Sequence, residues 1–423
     1  MIRLIIIADD FTGGLDTGVQ FARKGIRTRV ITDPGADYSQ AANGYEVLVV
    51  VAETRHLSPR EAYDEVYRIV EKSRALGIPH IYKKTDSGLR GNIGAELTAA
   101  LQASGERSLV FLPSMPGIGR MTVQGVHYID GVPVAESIFG RDPFEPVTES
   151  DVVQLIAQQS EAEAYSVRAG CLPDAAGIIV ADAQTDAELR QTGELLAASG
   201  RLRVTAGCAG FASVLPDLLG LNTDGRPEMP VPDPGLFVLC GSVNPITQRQ
   251  LAYAERNGFT RLHIAPEQKL DSAYFSSPEG QKTLEKWRAA CAQNPWIILD
   301  ANDTDDSNCE SSAYAQAHGM TTEDIRQRIS DTLGRILPEM LSGIPNRSLL
   351  ITGGDTLLQC MKHMQVSQME PLQELFPGIV LSTFRAEGRD RHVISKSGGF
   401  GEETLLCDLK ELIENQQHTA KEV

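Results

Sequence analysis

The amino-acid sequence predicts an α/β protein of two domains, each an open, mostly parallel sheet flanked by helices. Short apolar runs alternate with helix-like stretches along its 423 residues. This alternation is typical of parallel strands that are covered by helices on both faces. Residues 222–235 interrupt it with four prolines and two glycines among few apolar residues. Such a composition indicates a linker, so we expect domains over residues 1–225 and 234–423.

The first half of the chain is predicted to supply the strands and helices of the first domain. Strands are expected at residues 4–8, 28–32, 46–52, 80–84, 108–113, 177–183 and 203–207. Helices are expected near residues 15–24, 58–77, 93–103, 185–199 and 208–219. In the second of these, apolar residues recur at helical spacing, at Tyr63, Val66, Tyr67 and Val70. A hairpin is predicted over residues 125–135, because Asp130-Gly131 suits a two-residue turn.

The second half repeats the α/β alternation after the linker. Strands are expected at residues 236–241, 261–265, 296–301, 348–351 and 379–385. Helices are expected at residues 246–256 and 357–364 and at the C-terminus. The acidic, polar stretch 301–312 is interpreted as a mobile surface loop rather than a metal site, since it carries few apolar residues.

Composition and charge exclude several classes of partner. The net charge of −17 argues against nucleic acid and against an anionic membrane. Seven scattered cysteines without a C-x-x-C pair favour a reducing compartment over a disulfide framework or a cysteine metal site. No apolar run is long enough to span a bilayer, and a strand follows the first residues directly. We therefore expect a cytoplasmic protein that acts on a small molecule.

The segment KKTDSGLRGN at residues 83–92 is the most informative part of the chain. It follows a predicted strand, opens a predicted helix and carries Lys83, Lys84, Asp86, Ser87, Arg90 and Asn92. Ligands of open α/β sheets bind at this edge, and helix N-termini favour anions. The cations indicate a carboxylate or phosphate ligand, and Asp86 could hold a hydroxyl group or take its proton. The alternative is a solvated turn in which Asp86 or Ser87 caps the helix.

A second cluster, ADDFTGGLDTG at residues 8–18, follows the first predicted strand. Asp9 and Asp10 end the strand, and Asp16 is expected in the first turn of the next helix. Three carboxylates this close repel one another unless they bind a cation, share a proton or hold hydroxyl groups. Helix capping would explain one of them, but not all three.

Three glycine loops follow strands of the second half. They are CGSVNPIT at 240–247, TGGDT at 352–356 and SKSGGFGEE at 395–403. Glycine lets backbone N–H groups approach phosphate, and a following helix adds to the field. Each loop alone could be ordinary turn chemistry, but three in one domain favour a nucleotide phosphate site. Neither a Walker A motif nor a G-x-G-x-x-G fingerprint is present.

A further loop, PSMPGIGR at residues 113–120, ends on a possible anion ligand. Arg120 could hold a carboxylate by a two-point contact, or could be a loop cation in water. The histidines are dispersed, and His127 is expected in the core or at the surface rather than as a ligand.

Taken together, these motifs occur in an order that resembles the four-carbon acid sugar kinase family over nearly the whole chain. The resemblance implies an N-terminal substrate domain, a C-terminal ATP domain and an active site in the cleft between them. It places the acid sugar near Asp10, Asp16, Lys84, Asp86, Ser87, Arg90 and Asn92. It places ATP near Ser242, Gly353, Gly354, Asp355, Thr356, Gly398 and Gly399. The chain departs from the usual motifs at Gly14, often alanine, and at Gly88, usually threonine; the departure at residue 88 bears on the identity of the substrate more than on the type of reaction.

The expected function is ATP-dependent phosphorylation of the terminal hydroxyl of a four-carbon acid sugar such as threonate, erythronate or an oxo-tetronate. Lys84 and Arg90, with Arg120 as a further candidate, would hold the carboxylate, and Mg²⁺ would accompany ATP. Either Asp10 or Asp86 would accept the hydroxyl proton; the sequence does not decide between them. A homodimer is one expected assembly. The alternatives are a non-enzymatic sugar-acid sensor and, with less support, a sugar-acid dehydrogenase.

Overall fold

The computed structural model describes residues 2–142, 145–221, 230, 232–304, 308–342, 347–386 and 388–422. Contacts within the chain divide it into two compact units, Met1–Pro227 and Glu228–Val423. Each unit is an α/β structure with a mostly parallel sheet, so the predicted fold class is confirmed. The predicted domain limits, 1–225 and 234–423, stay a prediction, because residues 222–229 and 231 lie outside the described residues.

Unit 1 contains eleven strands and eight helices among its described residues. The strands are β1 (Leu4–Ala8), β2 (Thr28–Ile31), β3 (Val47–Val51), β4 (His80–Lys84), β5 (Ser108–Leu112), β6 (Arg120–Val123), β7 (Val126–Ile129), β8 (Val132–Pro133), β9 (Ala164–Val167), β10 (Gly177–Ala181) and β11 (Val204–Gly207). The helices are α1 (Phe11–Ala22), α2 (Tyr38–Ala41), α3 (Pro59–Ala75), α4 (Ile93–Ser104), α5 (Val152–Ala157), α6 (Asp186–Ala198), α7 (Ala209–Ala212) and α8 (Leu215–Leu218).

The main sheet of unit 1 is parallel throughout, in the order β2-β3-β1-β4-β11-β5-β10-β9. All five residues of β1 and of β3 are buried, because helices cover both faces of a parallel sheet. Their apolar side chains join those of α3 and α4 in one core cluster. The carboxyl ends of β1 and β4 therefore lie side by side in a rigid frame.

Strands β6, β7 and β8 form a separate antiparallel sheet. The predicted hairpin is confirmed: Asp130 and Gly131 connect β7 to β8, and both have positive φ. The turn between β6 and β7 has the same character, with positive φ at Gln124 and Gly125. Sequence reasoning missed this second turn, because Gln is an uncommon residue for it.

Unit 2 contains seven strands and seven helices among its described residues. The strands are β12 (Leu236–Cys240), β13 (Thr260–His263), β14 (Trp296–Asp300), β15 (Ser348–Thr352), β16 (Gln368–Phe376), β17 (Ile379–Ala386) and β18 (Arg389–Lys396). The helices are α9 (Pro245–Arg256), α10 (Pro266–Leu270), α11 (Pro278–Gln293), α12 (Cys309–Ala317), α13 (Thr322–Leu341), α14 (Gly354–His363) and α15 (Leu405–Glu422).

The sheet of unit 2 runs in the order β13-β14-β12-β15-β18-β17-β16, and its first five strands are parallel. Strands β17 and β16 are antiparallel to their neighbours. The sequence analysis did not predict β16, and it expected a strand before the loop at 395–403 without giving its bounds; both β16 and β18 carry many polar residues. Strand β16 also contains Pro371, next to a shift in register, and proline in a sequence argues against a strand.

The interpretation of residues 301–312 as a mobile surface loop is wrong for its two described ends. Ala301, Asn302 and Asp303 are buried, and Asp303 pairs with Lys269 at 2.7 Å. Helix α12 begins at Cys309. The polar composition hid this burial, because the buried lysine and the acidic residue are far apart in sequence. Among the described residues, no helix is both long and apolar enough to cross a membrane.

Candidate functional site

The two polar clusters of unit 1 meet at the carboxyl edge of its sheet. Strands β1 and β4 are neighbours, and Ala8 pairs directly with Lys84. Asp9 and Asp10 leave the sheet after β1, and Asp86 leaves it after β4. The structure thus brings together the segments that the sequence analysis singled out, at the position expected for a ligand of an open α/β sheet.

An arginine that the sequence analysis missed connects these segments. Arg55 donates from Nε to Asp9 at 2.8 Å and from Nη2 to Asp10 at 2.8 Å, and lies 3.6 Å from Asp86. It follows β3, the other neighbour of β1, so it reaches the same edge. Arg55 could have been found from the sequence, because it closely follows a predicted buried strand, as the other site residues do. We call Asp9, Asp10, Arg55, Lys84, Asp86 and Arg90 the charged cluster.

Asn92 positions the loop that carries Arg55. Its side-chain amide donates to the carbonyl oxygens of Thr54 at 2.8 Å and Leu57 at 2.9 Å. It stands at the N-terminus of α4 without capping the helix through its side chain. The amide donors are thus used inside the protein, and the predicted contact of Asn92 with the substrate stays a prediction.

Cations compensate the closely spaced carboxylates. Asp9 is buried, and burial alone would raise its pKa, but the charges of Arg55 and Lys84 outweigh it and hold the pKa below its ordinary value. Burial acts to lower the pKa of Lys84, yet Asp9 and Asp10 raise it overall, so the ammonium group stays charged. A Cβ atom at Gly13 would lie 2.3 Å from Lys84 Nζ, so this approach needs glycine.

Helix α1 begins earlier than predicted, and this changes the place of Asp16. Asp10 is the N-cap of the helix, and its side chain accepts from the backbone N–H of Gly13 at 3.1 Å. Asp16 consequently lies in the second turn, not the first. The prediction was wrong because two glycines in the motif suggested a turn where the chain is already helical.

Arg90 and Asp86 bind each other by a two-point contact. Arg90 Nε lies 2.9 Å from Asp86 Oδ2, and Nη2 lies 3.0 Å from Oδ1. Arg90 Nη1 donates to Asp142 at 3.2 Å. The planar fork that the sequence analysis reserved for a substrate carboxylate is therefore occupied by a side chain of the protein. Burial would raise the pKa of Asp86, but Arg90 and Arg55 hold it well below its usual range.

A chain of hydrogen bonds from the small antiparallel sheet holds the loop at Ser87 in place. Ser114 donates to Thr122 at 3.1 Å, and the Thr122 hydroxyl lies 3.0 Å from Nδ1 of His127. Nε2 of His127 lies 3.0 Å from the carbonyl oxygen of Ser87, which can only accept, so Nε2 carries the proton. Burial lowers the pKa of His127 to about 4, and the ring is neutral at neutral pH. His127 is a core residue, as expected.

Arg120 differs from the other arginines of this region. It is only 5% exposed, and Nε and Nη1 have no hydrogen-bond partner among the described residues. Its nearest carboxylate is Asp130, at 3.7 Å on the surface. Its guanidinium carbon lies 5.1 Å from the centre of the Phe139 ring, and that of Arg90 lies at the same distance. Burial lowers the pKa of Arg120 below its ordinary value.

Phe139 also fills the space beside Gly88. A Cβ atom at residue 88 would approach the ring to 2.5 Å, closer than real contacts allow. Glycine at this position is therefore matched to the aromatic ring, which both arginines contact. Sequence reasoning noticed Gly88 but not Phe139, since the two are separated by the whole of α4, β5 and the small sheet.

The three glycine loops of unit 2 also meet at one sheet edge. Cys240 pairs with Thr352, and Thr352 pairs with Lys396, so the loops after β12, β15 and β18 start side by side. A Cβ atom at Gly241 would lie 2.0 Å from Thr356 Oγ1. One at Gly398 would lie 2.8 Å from Ser242 Oγ. The close approach of these loops requires glycine, as expected of a backbone cradle for phosphate.

The other predicted nucleotide residues lie around the start of α14 and the turn after β18. Gly353 is the N-cap of α14 with φ of 99°, a conformation that favours glycine, and Gly354 begins the helix. Asp355 binds Arg326 at 2.5 Å, so its carboxylate already has a cationic partner. Gly399 follows Gly398 in the turn after β18.

Comparison with known proteins agrees with this division of the chain. A family model described as a sugar-binding N-terminal domain matches residues 4–215, and one described as a nucleotide-binding C-terminal domain matches residues 237–406. Solved structures show the fold: a Salmonella typhimurium protein described as a putative tRNA synthase has a TM-score of 0.72 at 21% identity, over 97% of this chain and 99% of that one. A Haemophilus influenzae DUF1537 protein has a TM-score of 0.66 at 20% identity, over the same shares of the two chains.

Curated relatives extend over nearly the whole sequence. A D-threonate kinase of Salmonella typhimurium is 32% identical over 98% of this chain and 99% of its own. A D-erythronate kinase of Heliobacterium modesticaldum is 27% identical over 96% of both chains. A 3-oxo-tetronate kinase of Burkholderia multivorans is 26% identical over 93% of this chain and 94% of its own. The resemblance carried by the motifs is thereby confirmed, and the chain belongs to the four-carbon acid sugar kinase family.

Proposed function

We propose that this protein transfers the γ-phosphoryl group of ATP to the terminal hydroxyl of a four-carbon acid sugar of the threonate, erythronate or oxo-tetronate type. Arg120 is the observation that carries the proposal within unit 1. A buried guanidinium with unused donors is unfavourable unless an anion completes its hydrogen bonds. A carboxylate of the substrate has the planar geometry that would do so.

Arg120 therefore takes the role that the sequence analysis gave first to Lys84 and Arg90. The fork of Arg90 binds Asp86, and Lys84 is engaged by Asp9 at 3.6 Å. In this proposal Arg90 and Lys84 hold the charged cluster in place and add positive field toward the substrate. The guanidinium groups of Arg90 and Arg120 both contact the ring of Phe139.

Asp10 is proposed to accept the proton of the reacting hydroxyl group. The bidentate contact with Arg90 makes Asp86 a weak base, because its pKa lies far below the range useful at neutral pH. Asp10 forms its ion pair with Arg55 at 2.8 Å and accepts from the Thr12 hydroxyl at 2.6 Å. As the hydroxyl oxygen bonds to the γ-phosphorus, its proton passes to Asp10 and ADP leaves. Asp16, Ser87 and Asn92 are proposed to bind the remaining sugar oxygens.

ATP is proposed to bind the glycine loops of unit 2, at Ser242, Gly353, Gly354, Asp355, Thr356, Gly398 and Gly399. The closeness of Gly241 to Thr356 and of Gly398 to Ser242 fits backbone recognition of phosphates, since side chains would block it. Mg²⁺, when bound with ATP, neutralises phosphate charge. We propose a homodimer as the assembly, which measurement of the molar mass in solution would test.

The test is phosphoryl transfer measured with matched substrates and a matched variant. The wild type should phosphorylate one or more of D-threonate, D-erythronate and 3-oxo-tetronate with ATP, and should be poor with the neutral four-carbon polyol. Arg120→Lys should lower kcat/KM for the acid by about ten- to a hundred-fold, because lysine cannot supply a planar fork. It should change kcat/KM for the polyol much less.

Arg90→Lys is the matched comparison for Arg120→Lys, because it removes a guanidinium group that binds Asp86 and not the substrate carboxylate. A variant at Arg120 that affects acid and polyol equally would contradict the carboxylate role. No turnover of any four-carbon acid by the wild type would contradict the proposed function.

A further inference from the structure

Of the lysines that the structure describes, three are at most 1% exposed, and two of these have a carboxylate partner. Lys83 Nζ lies 2.7 Å from Glu96, and Lys269 Nζ lies 2.7 Å from Asp303. A buried charge is strongly unfavourable without an opposite charge and hydrogen bonds. Lys83 and Lys269 follow that rule, because each buried ammonium group is paired with a buried carboxylate.

The third, Lys396, does not follow it. It ends β18, is 1% exposed, and forms no ion pair with any carboxylate that the structure describes. Its Nζ contacts neutral oxygens only: Thr247 Oγ1 at 3.0 Å and the carbonyl oxygens of Ser397 at 3.1 Å and Gly398 at 3.3 Å. Burial lowers the pKa of Lys396 to about 7.

Its position is the centre of the three glycine loops. The carbonyl groups that it contacts belong to the loop after β18, and Thr247 lies in α9, which follows the loop after β12. The backbone N–H of Gly353, in the loop after β15, donates to the Lys396 carbonyl at 3.1 Å. The side chain of Lys396 thus connects the segments after β12 and β18, and its backbone carbonyl connects the loop after β15.

We propose that Lys396 is a positioning residue of the nucleotide site, whose uncompensated ammonium charge is balanced by the polyphosphate of the bound nucleotide. This inference rests on the proposed nucleotide site. Because Lys396 lies beneath the loops, it acts through its field and through the loop geometry rather than by touching phosphate. In this proposal the nucleotide polyphosphate supplies the negative charge that no carboxylate among the described residues provides to Lys396.

A link between protonation and binding follows from this arrangement. The titratable side chain whose charge acts on Lys396 is Cys240, at the end of β12, and burial raises the pKa of that thiol, so it stays neutral. A bound polyphosphate would raise the pKa of Lys396. At a pH above about 7, binding would then take up a proton, and nucleotide affinity would fall as pH rises.

The experiment compares Lys396→Met with Lys269→Met, a variant of an equally buried lysine in the same unit. Calorimetry would measure the affinities of ATP and of adenosine, which lacks phosphates. Lys396→Met should weaken ATP by about ten-fold or more, as expected for loss of a nearby charge in a site of low dielectric. Its affinity for adenosine should change little. Lys269→Met should leave the ratio of the two affinities unchanged.

A second measurement needs no variant and stands even if Lys396→Met does not fold. ATP binding to the wild type is measured at about pH 8, where the terminal phosphate has lost its last proton, in two buffers of different ionisation enthalpy. We expect net proton uptake. Absence of uptake, or equal ATP affinity of wild type and Lys396→Met, would overturn the inference alone. No ATP binding by the wild type would overturn the nucleotide site together with it.

Discussion

Asp10 and Asp86 are neighbouring carboxylates with different surroundings, and on this ground we propose different roles for them. Asp86 accepts both prongs of Arg90 and the backbone N–H groups of Gly88 and Arg90. Its lone pairs are directed at protein donors, and its pKa is held down by Arg90 and Arg55. Asp10 caps α1 and contacts Arg55, but has no such fork. Environment rather than residue type separates a base from a structural acid.

We expect Asp10→Asn to reduce kcat by about a hundred-fold or more, the usual scale for loss of a general base, with little change in stability. Asp86→Asn should reduce kcat less and destabilise the protein by about 3 kcal/mol, since it removes the charged two-point partner of Arg90 and leaves Asp142 alone to balance it. Steady-state kinetics and urea unfolding of both variants distinguish these roles. A stable Asp86→Asn variant without turnover, beside an active Asp10→Asn variant, would reverse the assignment.

At the scale of secondary-structure elements, the candidate site of unit 1 is built by the loops that follow its strands. The segment after β8 brings Phe139 against Gly88 and into contact with Arg90 and Arg120. The chain cannot place a side chain at residue 88 while the ring keeps its position. Gly88 and Phe139 therefore behave as a pair in which each residue limits the other.

Gly88→Ala should consequently destabilise the protein by about 1–3 kcal/mol, the range for overpacking a tight contact. Phe139→Leu in the same chain should recover much of that loss, because the smaller side chain makes room for the new methyl group. Urea unfolding is the measurement. Gly117→Ala is the control, since a Cβ atom there meets open space at an ordinary φ. Equal stability of the Gly88 and Gly117 variants would contradict the pairing.

For the molecule as a whole, stability should depend on pH through His127. The folded pKa of His127 is about 4, against an ordinary value of about 6.5 in the unfolded chain. Between these values the unfolded state binds more protons, so stability falls as pH is lowered through this window. The full difference between the folded and unfolded pKa of His127 corresponds to a loss of about 3 kcal/mol in the free energy of unfolding. Asp9 and Asp86 also have lowered pKa values in the folded state, so their contribution to stability is lost only at pH values below those at which His127 titrates.

The check is the free energy of unfolding at several pH values between about 7 and 4 for wild type and His127→Gln. Glutamine keeps a donor toward the Ser87 carbonyl but does not titrate. The wild type should lose stability over this range, and the variant should show a flatter profile. Parallel profiles would show that other groups cause the pH dependence.

The sequence by itself determined the α/β class, most strands and helices, the loops at the sheet edges and the family. These features are local: apolar periodicity, glycine at close turns and the order of short motifs are all written in neighbouring residues. The places where it failed had misleading local signals. Polar β16 with Pro371 did not resemble a strand, and two glycines delayed the predicted start of α1 to residue 15.

Only the tertiary structure decided which charged group meets which. Arg55 joins the charged cluster, and Arg90 binds Asp86. Within the part of the chain that the structure describes, Nε and Nη1 of Arg120 have no hydrogen-bond partner, and the buried Lys396 has no carboxylate partner. Strand order brings Arg55 to Asp10 across 45 residues of sequence, and the side-chain directions in one loop bring Arg90 to Asp86, four residues away. A charge acts according to the groups within a few ångströms of it. Many candidate residues were thus readable in the sequence, but Arg55, Phe139 and Lys396 were not, and the roles of all of them depend on the fold.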